Sequence, residues 1–235
     1  METVNKAIIM AAGLGNRLSP VTNNTPKPMV KVNGVRMIDT IIDALHYNGI
    51  TEIYIVVGYL KEKFNKLCEK YQDLIFIENP YFEKYNNISS LYVARNHISN
   101  AFIIDGDQVV KNSKIFHPEF EKSGYCAAWS ETTNEWLMQV ENNTVLSCSR
   151  VGGVNGWQLY GLSMWTENDG KKLEKLVAQE FEKGNVDIYW DDVAMFEHFE
   201  DFDLGIRKIN HGDIMEIDSF DELVCADNSY IKLKK

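Results

Sequence analysis

Residues 11–29 read Ala11-Ala-Gly-Leu-Gly-Asn-Arg17-Leu-Ser-Pro-Val-Thr-Asn-Asn-Thr-Pro-Lys27-Pro-Met29, and they follow the short apolar run Lys6 to Met10. A run with two isoleucines that closes on Ala-Ala-Gly suits a buried strand entering a tight loop. Small residues at that point let backbone N–H groups come close to a phosphate chain, and Arg17 and Lys27 bring positive charge to the same loop. The segment therefore reads as a loop built for a nucleoside triphosphate. It is not a P-loop, because no GxxxxGK followed by Ser or Thr occurs. It is not a dinucleotide fingerprint either, because Leu18 stands where GxGxxG needs its third glycine.

Beyond the loop, Met37, Ile38, Ile41, Ile42 and Leu45 recur at helical spacing, and Gly49 stands where a C-terminal cap belongs. Glu52 to Val57 then reads as a strand, Lys61 to Tyr71 as a helix, Leu74 to Ile77 as extended, Ser90 to Asn96 as a helix and Ala101 to Ile104 as extended. This alternation predicts an α/β fold with a mostly parallel sheet flanked by helices on both faces. The second half departs from it. Leu137 to Val140 and Val145 to Cys148 flank Glu-Asn-Asn-Thr as a hairpin, and Gln158 to Trp165 is a further strand, so a small antiparallel insertion or appendage is expected. Leu173, Leu176, Val177 and Phe181 define an amphipathic helix between Thr166 and Gly184, followed by a short strand near Ile206 and a C-terminal helix. No repeat, low-complexity tract or linker marks a boundary, so one domain over residues 1–235 is expected. In open α/β sheets ligands sit beyond the carboxyl ends of the strands, which directs attention to the loops after Met10, Val57, Ile77 and Ile104.

The composition narrows the function. Apolar residues make up 45% of the 235, enough for a well-filled core, and a formal net charge of −10 repels polyanions, so nucleic acid is not an expected partner. Cys68, Cys126, Cys148 and Cys225 form no CxxC pair and read as reduced thiols. The apolar run at the start is too brief for a signal peptide and no stretch approaches a membrane span, so no membrane insertion and a cytoplasmic location are expected.

Asp105-Gly-Asp107 closes an apolar strand, where acids suit a hard cation with oxygen ligands. Mg²⁺ is usually held by one or two carboxylates together with substrate phosphates, so a second acid should arrive from elsewhere, and Asp191 or Asp192 beside Trp190 is the expected source. The five histidines, at 46, 97, 117, 198 and 211, show no ligand spacing.

Gly13-x-Gly15-x-Arg17-Leu-x-Pro20-x-Thr22-x-x-x-Pro26-Lys27-Pro28 resembles the signature of the nucleoside-diphosphate-sugar pyrophosphorylase superfamily. Val-Gly58-Tyr59-Leu-Lys-Glu, Tyr85-Asn-Asn-Ile-Ser-Ser90-Leu-Tyr, Ile-Asp105-Gly-Asp107, Thr133-Asn-Glu-Trp136, Asp187-Ile-Tyr-Trp190-Asp191 and Glu216-Ile-Asp-Ser resemble its bacterial choline-phosphate cytidylyltransferase branch. The resemblance implies a Rossmann-like domain, CTP and phosphocholine as substrates, CDP-choline and pyrophosphate as products, and Mg²⁺ as cofactor. It places Ala11, Ala12, Gly13, Leu14, Gly15, Asn87, Ser90 and Asp105 at the nucleotide, and Arg17 and Lys27 on the reacting phosphates. Asp107 and Asp191 become the metal ligands, with Asp192 in reserve because adjacent acids on a strand point apart. A homodimer is allowed but not required.

A quaternary ammonium has no N–H to donate, so aromatic faces and negative charge must recognise it. Trp136, Tyr189 and Trp190 are the candidate faces, and Glu216 with Asp191 or Asp192 the candidate charges. Core packing is the competing expectation for these aromatics. Other readings are a sugar-1-phosphate nucleotidyltransferase, a cytidylyltransferase for phosphoethanolamine or aminoethylphosphonate, and a non-catalytic binding module that keeps the fold.

Overall fold

The computed structural model describes residues 1–233, and the apolar run before the glycine loop lies inside its main sheet. Strands β1 (Lys6–Ala11), β2 (Glu52–Val57), β3 (Leu74–Glu78) and β4 (Ala101–Asp105) are parallel, in the spatial order β4-β1-β2-β3. From Ala7 onward strand β1 is apolar because both of its faces are covered. Ala7, Ile9 and Ala11 pack in one cluster with Ile38, Ile41 and Leu45 of helix α1 (Met37–Tyr47). Ile8 and Met10 pack on the opposite side with Ile88, Leu91 and Ala94 of helix α2 (Ile88–Ala94). The period of two along the strand thus divides the core between two helical layers.

A short β5 (Gln108–Val110) follows Asp107. The antiparallel piece is not a separate sheet. It comprises β6 (Gly124–Thr133), β7 (Leu137–Glu141), β8 (Thr144–Ser149) and β9 (Gly153–Trp165), and β9 runs antiparallel to β4 with Leu162 opposite Ile104. The sheet order is therefore β8-β7-β9-β4-β1-β2-β3, and β6 pairs with both β9 and β10 (Gly205–Lys208). Strand β11 (Ile214–Glu216) pairs with β5 and brings the last part of the chain to the site.

Helix α3 (Glu167–Glu182) begins as expected, with the Thr166 hydroxyl accepting from the Asp169 N–H at 3.1 Å, and the chain leaves it through Gly184 at φ 92°. Helix α4 (Phe220–Ala226) starts from a Ser219–Glu222 capping box. Three expectations change. Lys61–Glu69 is 3₁₀ rather than α-helical, which fits buried Phe64 and Leu67 standing three residues apart. The α2 helix starts at Ile88, two residues before the expected Ser90, and Arg95–His97 continues it as a 3₁₀ turn. Gly124–Thr133, not anticipated as a strand, is a long one in which the small, weakly strand-forming Ala127 is held by neighbours on both sides and Ala128 by β9. Among the described residues no helix is long and apolar enough to cross a membrane.

Candidate active site

Met10 pairs with Asp105 in the β1–β4 register, so the glycine loop and the Asp105-Gly-Asp107 turn leave the sheet side by side. The Gly106 N–H donates to the Met10 carbonyl at 2.9 Å, and the Tyr59 N–H donates to the Ala12 carbonyl at 3.1 Å. The loop then folds back over itself. Gly15 has φ 64°, and a Cβ there would stand 2.9 Å from the Lys27 Cβ, so this close return needs glycine. The Thr22 hydroxyl fastens the loop by donating to the Gly15 carbonyl at 2.9 Å.

The result is a buried cation among acids. Lys27 is 7% exposed, and its ammonium donates to Asp107 Oδ2 at 2.6 Å and to Asp218 Oδ1 at 2.8 Å. Burial alone would lower its pKa, but Asp107 and Asp218 hold it above the ordinary lysine value. Arg17 Nη2 also reaches Asp218, at 3.1 Å, and is largely exposed. Burial works against an ionised Asp218, yet Lys27 and Arg17 keep its carboxyl below the usual range.

The other acids are crowded. Burial, then the charges of Asp107, Asp191 and Glu216, push Asp105 well above the ordinary carboxylate range. Its carboxylate lies against β9, where a Cβ on Gly161 would fall 2.1 Å from Asp105 Oδ2. Glu216 accepts from Gln108 Nε2 at 3.1 Å, and burial with the charges of Asp218, Asp107 and Glu135 pushes it up to about 7. Asp191 and Asp192 sit in a helical turn, Trp190–Asp192, and their side chains diverge. Asp192 is fully engaged, its Oδ1 paired with Arg150 at 2.6 Å and its Oδ2 accepting from the Tyr189 N–H at 2.8 Å, so the reserve ligand has no free oxygen. Among the described residues Asp191 Oδ1 is buried with no hydrogen-bond partner of normal geometry, and burial with the Asp192 charge pushes its pKa up to about 8.

One cleft of about 510 Å³ gathers these groups. Of the expected residues, Ala11, Ala12, Gly13, Gly15, Arg17, Lys27, Asn87, Ser90, Asp105, Asp107, Trp136, Tyr189, Asp191 and Glu216 line it. Leu14 does not line the cleft, and neither does Trp190. Trp190 is 1% exposed and packs on Tyr125 and Trp165 with ring centroids 6.0 and 6.4 Å away, so it belongs to the core and not to an acceptor pocket. The open aromatic wall is Trp136 and Tyr189, edge to face at 6.0 Å. Behind them Trp136 meets Phe196 at 5.4 Å, and the Arg150 guanidinium lies 3.5 Å from the Phe196 ring centre, bracing the hairpin against the 189–196 segment.

Glu135, Gln108, Gly161 and Asp218 also line the cleft and were not assigned roles from the sequence. Asp218 stands in the quoted block Glu216-Ile-Asp-Ser, but nothing local signals that it meets Lys27 across 191 positions.

Both members of the expected metal pair, Asp107 and Asp191, line the cleft, and Asp107 also shares the Lys27 ammonium with Asp218. Among the described residues no three His, Cys, Asp or Glu side chains cluster as a closed metal site. A pair of hard oxygen donors, already seen sharing the Lys27 ammonium, fits a divalent cation whose other ligands are water and phosphate.

A parallel sheet that ends in a cationic glycine loop, facing an acid-lined cleft, defines an α/β enzyme that handles nucleotide phosphates. Residues 6–123 match the nucleotidyl transferase family, and the chain belongs to it. It is 37% identical over 231 residues to the 2-aminoethylphosphonate cytidylyltransferase of Lancefieldella rimae, covering 97% of this chain and 94% of that one. It is 35% identical over 216 residues to the choline-phosphate cytidylyltransferase of Streptococcus pneumoniae, covering 91% and 93%. The solved structure of the CTP:phosphocholine cytidylyltransferase from Streptococcus pneumoniae superposes with a TM-score of 0.88 at 33% identity, over 99% of this chain and 100% of that one.

Proposed function

We propose that the protein transfers CMP from CTP to phosphocholine, giving CDP-choline and pyrophosphate. The observation that carries this reading is that one cleft is lined both by Arg17 and Lys27 and by an aromatic and acidic wall of Trp136, Tyr189, Glu135 and Glu216. The first half suits a triphosphate. The second suits the cationic head of an acceptor that also bears a phosphate. The relatives named above carry the names of a choline-phosphate and a 2-aminoethylphosphonate cytidylyltransferase, whose acceptors join a cationic nitrogen to a phosphate or a phosphonate.

A phosphate monoester has its second pKa near about 6, so the acceptor is already ionised at neutral pH and needs no general base. Its oxygen attacks the α-phosphorus of CTP, and the bond to the β-phosphate oxygen breaks as pyrophosphate leaves in line. Catalysis then rests on position and charge. Lys27 serves the α-phosphate, where negative charge gathers, and Arg17 exchanges Asp218 for the leaving phosphates. Asp107 and Asp218 would hold a divalent cation, Mg²⁺ in this reading, which supplies neutralisation of the triphosphate charge. A cytoplasmic setting accompanies the proposal.

The second reading, 2-aminoethylphosphonate as acceptor, is favoured by the relative from Lancefieldella rimae. The two acceptors differ at nitrogen. A primary ammonium can donate to Glu135 or Glu216, whereas a quaternary one depends on aromatic faces. Trp136→Ala should therefore lower kcat/KM for phosphocholine roughly ten- to thirtyfold, the loss expected for one aromatic face, with the KM for CTP unchanged. A variant that keeps its phosphocholine activity, measured beside 2-aminoethylphosphonate, contradicts the choline reading.

A further inference from the structure

Asn79 follows β3, is 1% exposed and does not line the cleft. The orientation of its amide is fixed, because the Tyr81 N–H donates to Oδ1 at 2.9 Å and a backbone N–H has only a proton to give. The NH₂ end therefore faces two serines and donates to Ser89 Oγ and Ser90 Oγ, each at 3.0 Å. Ser89 passes its own proton to the Asn86 carbonyl at 2.8 Å. Ser90 is 5% exposed, lines the cleft, and its hydroxyl proton has no acceptor among the described residues.

A second group on the same face is committed in the same sense. Asn87 Oδ1 accepts from the Trp190 N–H at 2.8 Å, which leaves its NH₂ as the end free for a ligand. Asn87 and Ser90 are three apart at the start of α2, so their side chains are neighbours. The wall beside the glycine loop thus presents two hydrogen-bond donors.

We infer that Asn79 makes the protein selective for cytosine by holding the Ser90 hydroxyl as a donor toward the nucleobase. This rests on the cytidylyl reading and deepens it. Cytosine offers two adjacent acceptors, N3 and O2, which match two donors. Uracil carries a proton on N3, so donor would meet donor and a buried hydroxyl proton would be left without a partner. Asn79 is a positioning residue: it touches no substrate and acts through Ser90.

The test is kcat/KM for CTP and for UTP, with phosphocholine as acceptor, in the wild type and in Asn79→Asp, Asn79→Ala and Ser90→Ala. A carboxylate at position 79 accepts from the serines, so Ser90 turns its proton inward and offers a lone pair to the cleft. Asn79→Asp should then lower the CTP to UTP preference by about tenfold or more, the scale set by one mismatched buried hydrogen bond. Ser90→Ala should lower it comparably, and Asn79→Ala, which frees the hydroxyl to turn either way, should fall between. A variant set that loses activity equally toward both nucleotides and keeps the wild-type ratio overturns the inference, since a merely structural Asn79 gives that result. If Asn79→Asp does not fold, the ratio in Asn79→Ala decides. A wild type that prefers UTP fails at an earlier point and sinks the cytidylyl reading itself.

Discussion

Lys27 shows how one side chain ties the phosphate loop to the acids. Its ammonium, held by Asp107 and Asp218, occupies the place between two carboxylates that a divalent cation would also seek. Asp107→Asn and Asp218→Asn should each lower kcat/KM by on the order of a thousandfold and raise the metal concentration for half-maximal rate, because an anionic ligand is lost. Asp191→Asn should leave that concentration unchanged in the same titration. If Asp191→Asn shifts it and Asp218→Asn does not, the cation is held by Asp107 with Asp191, the pairing expected from the sequence. Asp191 has a different signature. Its folded pKa of about 8 stands above the ordinary 3.8, so its contribution to stability is present at low pH and is lost as pH rises through the folded value. The melting temperature of Asp191→Asn, relative to the wild type, should accordingly climb between about pH 4 and about pH 8 in ligand-free protein and level off above that. A difference that stays flat across that range shows that Asp191 is ionised throughout. Trp190 marks where local reading ends: an aromatic beside two acids has the same sequence pattern whether it faces a cleft or, as here, Tyr125 and Trp165.

Strand β9 carries a constraint that no single loop shows. It lies against β4 so closely at Gly161 that Asp105 takes the volume of a side chain there. Gly161→Ala should displace the Asp105 carboxylate and lower kcat at least about tenfold, while far-ultraviolet circular dichroism stays at wild type, since the strand itself accepts alanine. Wild-type kcat in that variant means that Asp105 has room to move without consequence. Elements with local signals were legible: the β1 run, α1 with Gly49, and α3 between Thr166 and Gly184 all carry their start or stop in the chain. Strand β6 was not, because its alanines are held as strand only by pairing with β9 and, at Ala127, with β10 as well. The Arg150 brace was equally hidden, being a contact between a turn after β8 and the segment beyond α3.

For the molecule as a whole, a net charge of −10 sets a field that repels a triphosphate, so the cations that receive it must be local, as Arg17 and Lys27 are. The sheet explains why these pieces meet: parallel strands deliver the nucleotide loop and the first acids, β7, paired with β9, places Glu135 and Trp136 at its start, and β11 delivers Glu216 and, just beyond it, Asp218 to the same cleft. Most cleft residues were visible as short motifs, but their pairing across the chain depends on strand order, which no motif encodes. Pyrophosphate release should be measured with CTP, UTP, ATP and GTP against phosphocholine, phosphoethanolamine, 2-aminoethylphosphonate and glucose 1-phosphate. The highest kcat/KM is expected for CTP with phosphocholine, and chelation of divalent metal should abolish it. A preference for glucose 1-phosphate, or for any nucleotide other than CTP, would contradict a cytidylyltransferase that recognises a cationic acceptor.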